Sequence, residues 1–385
     1  MNKVFVRTDV QQKWLERLQE KESEFRKRGV IADEEAIFPK ENIDDLVKMG
    51  YPSITLPQEY GGEGLKVYDM VLLQEKLASL DSNTALSIGW SLGVVGELFE
   101  KKMWTEDNLQ FFAKEVSNGA LVNRAASEAQ TGSPTRGGRP GTIAVKKNGG
   151  WLINGRKIFT TMSPALTYFL TSAWIEEKQK IGFFLIHKDL PGVSIEETWD
   201  VISMRGTGSH DLVLENVTVE ESKLVELPDY PRGSQLNGWL LHIPACYLGI
   251  AQAARDFAID FASRYSPNSL NGPISQLPNV QQHLGEIELE LINARHLIYS
   301  VAAAYDDKSR KEYLTNELGV VKHIVTNSAI SIVDKAMRVV GAKSLQRSNP
   351  LQRYYRDVRA GLHNPPMDDM TIKKLALEAI EQVKK

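Results

Sequence analysis

The 385-residue chain contains one cysteine, Cys246. An intrachain disulfide framework and a cysteine-cluster metal site are thereby excluded. Cys246 lies in the apolar run 243–250, which reads as a buried, inert thiol and not as a nucleophile. No apolar stretch reaches ~18 residues, so the sequence offers no membrane-spanning helix. The N-terminus is charged and amphipathic and lacks the apolar segment of a secretory signal, which sets the expectation of a cytoplasmic protein. Neither sign of charge dominates: 46 Lys and Arg stand against 49 Asp and Glu, for a net charge of -3. That balance gives no electrostatic reason to expect nucleic acid or an anionic membrane as a partner. No histidine or carboxylate pair has metal-ligand spacing, and no internal repeat is visible.

What is present is ordinary globular material, 42% hydrophobic and 25% charged, long enough for a sizeable core and two or three structural units. Residues 1–118 read as helical: Trp14, Leu15, Leu18 and Phe25 recur at helical spacing, as do Met70, Leu73, Leu77 and Leu80. Residues 119–228 read as a β domain. There, Trp151 to Ile158 reads as strand, Asn154-Gly155 turn and second strand, 181–186 as a short buried strand, and 201–219 as at least one more. Residues 229–385 return to the helical period, with Val321, Ile324, Val325, Ile332, Val333, Ala336, Met337 and Val340 forming a broad apolar stripe. A helical–β–helical order is an α+β fold by layer logic.

Four segments carry chemistry. The loop Met204-Arg-Gly-Thr-Gly-Ser-His-Asp211 runs into an alternating strand, and its two glycines bracket small hydroxyl residues where backbone can approach a ligand. Upstream stand Leu56-Pro-Gln-Glu-Tyr-Gly-Gly-Glu-Gly-Leu65, Ala126-Ser-Glu-Ala-Gln-Thr-Gly-Ser133 and Ile153-Asn-Gly-Arg-Lys-Ile-Phe-Thr-Thr161. In this order they resemble the acyl-CoA dehydrogenase superfamily of flavoproteins over essentially the whole chain. The resemblance implies a helical N-terminal domain, a middle β domain and a C-terminal four-helix bundle. It also implies FAD as cofactor, with a hydroxyl from Ser127 at the flavin pyrimidine edge, Phe159 beside the ring and Thr161 near its reactive nitrogen. Ser133 matches a contact to the CoA end of the substrate, and Arg205 is taken with it as a substrate-binding residue. Ala129 and Pro134 depart from the family pattern. Arg264, Arg338 and Gly341 fall where family members hold the FAD of a neighbouring subunit, so a homodimer or homotetramer is expected. The stripe through Val321, Val325 and Met337 is the surface that such an assembly would bury.

The catalytic base does not follow the pattern. Family members place a carboxylate at one of two positions, which count here to Pro365 and Trp239; neither can accept a proton. His363, after Arg356-Asp357-Val-Arg359, has a spacing similar to the flavin-dependent monooxygenase branch, and histidine can hold or release a proton near neutrality. His363 and Asp368 are therefore the catalytic candidates, although adjacent Asp368 and Asp369 also read as a helix N-cap. His210 reads as a loop-positioning residue, and His242 and His323 as satisfied core residues. The implied activity is oxidation of an acyl-CoA thioester at its α,β bond by hydride transfer to flavin, with an electron-transfer flavoprotein as electron acceptor. The alternatives are a two-component monooxygenase fed by a flavin reductase, or a flavin- or acyl-CoA-binding protein without turnover.

Overall fold

The computed structural model describes residues 3–131, 138–228 and 236–384. Helix α1 (Asp9–Glu20) starts at a reciprocal cap in which the Thr8 hydroxyl accepts from Gln11 N and the Gln11 side chain accepts from Thr8 N. Helices α2 (Glu22–Glu35), α3 (Lys40–Lys48), α4 (Val67–Leu80), α5 (Ser82–Lys101) and α6 (Glu106–Ser117) follow. Trp14, Leu15, Leu18 and Phe25 are buried, as their spacing predicts. Helix α5 is buried almost all round, and its composition differs by face. Asn83, Ser87 and Ser91 share one side at i, i+4 and i+8, while Gly89, Gly93 and Gly96 share the opposite one.

Strands β1 (Val122–Ala125), β2 (Ile143–Lys147), β3 (Gly150–Lys157), β4 (Tyr168–Ile175), β5 (Lys180–His187), β6 (Val193–Glu196), β7 (Asp211–Glu220) and β8 (Leu224–Glu226) make an eight-stranded sheet. Its order is β6-β7-β3-β2-β4-β5-β8, with β1 parallel to β4. The expected turn at Asn154-Gly155 is not a turn. β3 passes straight through it, with a register shift against β7 between Ile153 and Gly155. A Cβ on Gly155 would stand 2.3 Å from the Thr142 hydroxyl oxygen, so glycine serves close strand approach there. The hairpin turn lies one Asn-Gly pair earlier: Asn148 and Gly149 join β2 to β3 with φ of 51° and 77°. Two consecutive positive φ values are what a two-residue hairpin turn requires.

The C-terminal part holds α7 (His242–Arg264), α8 (Pro278–Asp306), the short α9 (Lys308–Lys311), α10 (Glu317–Val340), α11 (Pro350–Asp357) and α12 (Asp368–Lys384). α7 packs on α4 and α10, and α10 packs on α8. Most of the apolar stripe of α10 is consumed here: Val321, Val325, Ile332 and Val333 are fully buried within one chain, while Ile324 stays exposed. The reading of that stripe as subunit interface is therefore corrected for Val321 and Val325, whereas Met337 is half-buried. Among the described residues, further apolar side chains at the surface lie on α8 (Leu289, Ile292) and along α12 (Ile372, Leu377, Ile380, Val383).

Candidate functional site

Two segments that are distant in sequence close on each other like a zipper. Thr160 N donates to His210 O at 3.1 Å, Met162 N to Thr207 O at 2.9 Å, and Ser163 N to Gly208 O at 3.1 Å. Gly208 has φ +53°, and a Cβ there would stand 2.9 Å from Pro164, so this close approach needs glycine. Two further bonds bring in β1 and the loop after it: Asn123 Nδ2 donates to Thr161 O at 3.1 Å, and Ile158 N donates to Ser127 O at 2.9 Å. Ser127, Phe159 and Thr161 are thus brought together on one shelf.

Hydroxyls line the back of that shelf. Thr207 Oγ1 donates to Met204 O at 3.0 Å and lies 2.8 Å from Ser209 Oγ, which donates to Thr161 Oγ1 at 3.0 Å. Thr207 and Ser209 are buried, and Thr161 is the half-buried outer end. Next to it the buried Thr160 Oγ1 has no partner among the described residues. Phe159 is held at φ +55° with its ring 59% exposed, edge-on to Trp199. A non-glycine residue in the left-handed region costs roughly 1–2 kcal/mol, and it presents a large apolar side chain at the surface. His210 accepts from Trp199 N through Nδ1 at 3.1 Å. Burial lowers its pKa against the pull of Glu197 and Asp211, so it positions the loop as a neutral ring.

Glu128 underpins the shelf. Its carboxylate accepts from Gly141 N, Thr142 N, Thr142 Oγ1 and the fully buried Lys157 Nζ at 2.5 Å. Burial pushes Glu128 up, but Lys157, Thr142 and Gly141 outweigh it and hold the carboxyl below its ordinary range. Burial also draws Lys157 down to about 8. A paired charge on each side keeps the desolvation tolerable.

The loop 204–207 is clamped to both helical parts. Asp357 Oδ1 accepts from Met204 N at 2.7 Å, Asp357 Oδ2 accepts from Ser82 Oγ at 3.0 Å, and Asn83 Oδ1 accepts from Gly206 N at 3.0 Å. Arg356 grips Asp33 through both nitrogens and donates to Ile202 O. Arg205 is committed in the same way, donating to Asp33 O at 2.6 Å and Val201 O at 3.2 Å. It ties α2 to the loop, and that use competes with a substrate contact.

The remaining candidates are spread out. His363 is exposed, at the end of the 3-10 turn Val358–His363. Next to it Asn364 Oδ1 accepts from Tyr247 OH at 2.5 Å, followed by Pro365. Asp368 opens α12 and accepts from Asn327 Nδ2 at 2.9 Å, with His323 Nδ1 at 3.1 Å and Lys322 Nζ at 3.4 Å. Burial raises its pKa, yet these partners outweigh it and hold the carboxyl low. A carboxylate stabilised as the anion is a weak proton acceptor. His323 is thereby corrected from a core residue to a half-exposed partner of Asp368. His242 is buried as expected but not satisfied, since neither ring nitrogen has a partner among the described residues. Trp239 is buried against Gly96, and its Nε1 donates to Glu100 at 2.7 Å. Arg264 is exposed in the last turn of α7 and pairs with Asp260. Arg338 and Gly341 line a shallow open cleft at the end of α10, and Lys343 of that end lies 3.9 Å from the Tyr265 ring centroid. These three form a second cluster, about 27 Å along α7 from Cys246, which packs on Ser82 near the shelf. One chain does not bring them to Thr161. Ser133 lies outside the described residues.

Comparison with known proteins agrees with this architecture along the whole chain. Residues 8–103, 123–217 and 241–364 match the N-terminal, middle and C-terminal domains of acyl-CoA dehydrogenase. The Bacillus subtilis (strain 168) protein named "Putative acyl-CoA dehydrogenase YdbM" is 64% identical over 378 residues, covering 98% of this chain and 99% of that one. The chain belongs to the acyl-CoA dehydrogenase family. Butyryl-CoA dehydrogenase from Megasphaera elsdenii shares the fold at a TM-score of 0.85 and 21% identity, with 97% of this chain and 98% of that one covered. An L-evernosamine nitrososynthase from Micromonospora sp. is 27% identical over 86% of this chain and 80% of its own length.

As in any acyl-CoA dehydrogenase fold the chemistry belongs to a flavin, and the shelf fits one. Orphaned Thr160 Oγ1, the hydroxyl end at Thr161 and the exposed Phe159 ring supply polar partners and an apolar wall side by side. Sequence reasoning missed Thr207, Ser209, Glu128 and Lys157. A signal for the last existed: a lysine at the same alternating strand face as Trp151 and Ile153 demands a buried partner. For Thr207 and Ser209 the glycine-bracketed motif was visible, but not what the hydroxyls face.

Proposed function

We propose that this protein is an FAD-dependent oxidoreductase that oxidises an acyl-CoA thioester at the α,β bond. The observation that carries the reading is the hydroxyl chain ending at Thr161, where the buried Ser209 donates outward to Thr161 and leaves Thr161's own hydrogen to point at a ligand. Bound flavin supplies a hydride acceptor there. Ser127 and Thr161 orient its polar edge, and Phe159 covers a face. An α-proton must leave as hydride departs from the β-carbon, and Trp239 and Pro365 cannot take it. Asp368 is held as an anion by Asn327, His323 and Lys322. His363, exposed on the C-terminal loop, is the remaining candidate base. Arg264 and Arg338 would serve the FAD diphosphate of a neighbouring copy, in a homodimer or homotetramer, and electrons would pass to an electron-transfer flavoprotein.

A second reading is favoured by the same missing carboxylate and by the similarity to a nitrososynthase: a monooxygenase that takes reduced flavin from a reductase and uses His363 beside oxygen. One experiment separates the two. Under strict anaerobiosis the purified protein, loaded with FAD, is titrated with a panel of acyl-CoA thioesters. Bleaching of the flavin absorbance supports the dehydrogenase. No bleaching with any thioester, together with oxygen-dependent product from reduced flavin, replaces it with the monooxygenase.

A further inference from the structure

We propose that Thr207, Ser209 and Thr161 form a reversible hydroxyl chain that lets Thr161 donate a hydrogen bond to oxidised flavin and accept one from reduced flavin. The inference rests on the flavin reading of the shelf and adds a role for residues behind it.

Each hydroxyl has one hydrogen to give. Thr207 Oγ1 has two acceptors for it, Met204 O at 3.0 Å and Ser209 Oγ at 2.8 Å, and the Thr207–Ser209 contact accommodates either donor. With the hydrogens running from Thr207 to Ser209 to Thr161, the Thr161 hydrogen is free for a ring nitrogen that offers a lone pair. A ring nitrogen that carries hydrogen needs the opposite. Thr161 then accepts, its hydrogen turns to Ser209, that of Ser209 turns to Thr207, and that of Thr207 turns to Met204 O. No proton changes atoms, since only three C–O bonds rotate. The terminus is fixed in place: Met204 sits at φ +53°, its N donates to Asp357 at 2.7 Å, and its O also accepts from Trp199 Nε1 at 3.0 Å. Thr207 and Ser209 are buried, at 1% and 4% exposure, so bulk water does not replace a missing link. Leaving a buried hydrogen without an acceptor is costly, so a broken chain penalises the reduced complex, where Thr161 has to turn its hydrogen inward.

The test uses FAD itself, oxidised or dithionite-reduced under anaerobiosis, with dissociation constants measured for wild type, Ser209→Ala, Ser209→Thr and Thr161→Val. For Ser209→Ala the affinity for reduced FAD is expected to fall about tenfold or more, and that for oxidised FAD less than about threefold. For a two-electron couple a tenfold change in that ratio is about 30 mV in potential. Ser209→Thr keeps the wild-type ratio. Equal losses for both forms, or none, overturn the chain. Where Ser209→Ala does not fold, Thr207→Val cuts the chain one link further back and must shift the ratio in the same direction. If Thr161→Val binds both forms as tightly as wild type, the flavin reading of the shelf fails, and the chain's role with it.

Discussion

His242 is a buried titratable group with no hydrogen-bond partner among the described residues. Both ring nitrogens lack partners, Trp90 stands edge-on at 4.7 Å, and burial draws its pKa down to about 3. In the unfolded chain the ring takes up a proton near pH 6.5, whereas the folded protein refuses it. The unfolded state binds more protons throughout that window, so stability falls as pH drops below 6.5, by about 2 kcal/mol between pH 7 and pH 5 from this residue alone. His242→Leu is expected to flatten that acid limb in urea unfolding; an unchanged slope would mean that the ring finds a partner. At this scale much of the site could be read in advance. Ser127, Phe159 and Thr161 lie in short motifs with local chemistry, and they do meet. Glu128, Lys157 and Ser209 act through side-chain contacts to segments 13 to 48 residues away, which depend on strand register and not on neighbours in sequence, and Thr207 joins them through Ser209.

Among the elements, α5 shows why glycine content is informative only in context. A Cβ on Gly96 would lie 2.4 Å from the Trp239 indole, and one on Gly89 2.6 Å from His242 Nδ1. The glycine face lets the start of α7 approach α5 closely, filling the position where a carboxylate was sought with an indole. Gly285, inside α8, faces open space. Gly96→Ala is therefore expected to destabilise by about 1–3 kcal/mol through overpacking. Gly285→Ala is expected to stabilise by about 0.5–1 kcal/mol through helix propensity. Thermal unfolding of the two variants should move in opposite directions; the same sign in both would refute the packing argument. Element type was legible from periodicity, but the Asn-Gly signal occurs twice within eight residues. Only pairing against β2 and β7 shows that Asn148-Gly149 turns and Asn154-Gly155 does not.

Across the whole molecule, Asp357 joins three parts: α11, the start of α5 through Ser82, and the middle-domain loop through Met204. Burial raises its pKa to about 6, against the lowering effect of Arg353 and Met204 N. Here the folded state binds more protons than the unfolded one between pH 4 and 6. Stability from this group is full at low pH and is lost as pH rises through 6, on the order of 3 kcal/mol in all. Asp357→Asn is expected to remove that decline while His242→Leu removes the opposite one, so the pH of maximum stability should move up in the first and down in the second. Equilibrium unfolding from pH 4 to 8 reads both. The Thr161 shelf and the Arg264–Arg338 cluster lie apart in one chain, and the proposed function gives each a part of the FAD to hold. Arg264→Ala is thus expected to lose FAD on gel filtration, about tenfold in affinity, with unfolding unchanged; full retention would sever Arg264 from the cofactor. The most direct test of the account is a crystal structure of the FAD-loaded protein. It should place a nitrogen of the isoalloxazine ring about 3 Å from Thr161 Oγ1, with Phe159 against the ring. A flavin bound elsewhere, with Thr161 turned away from it, would contradict the site from which the proposed function is argued.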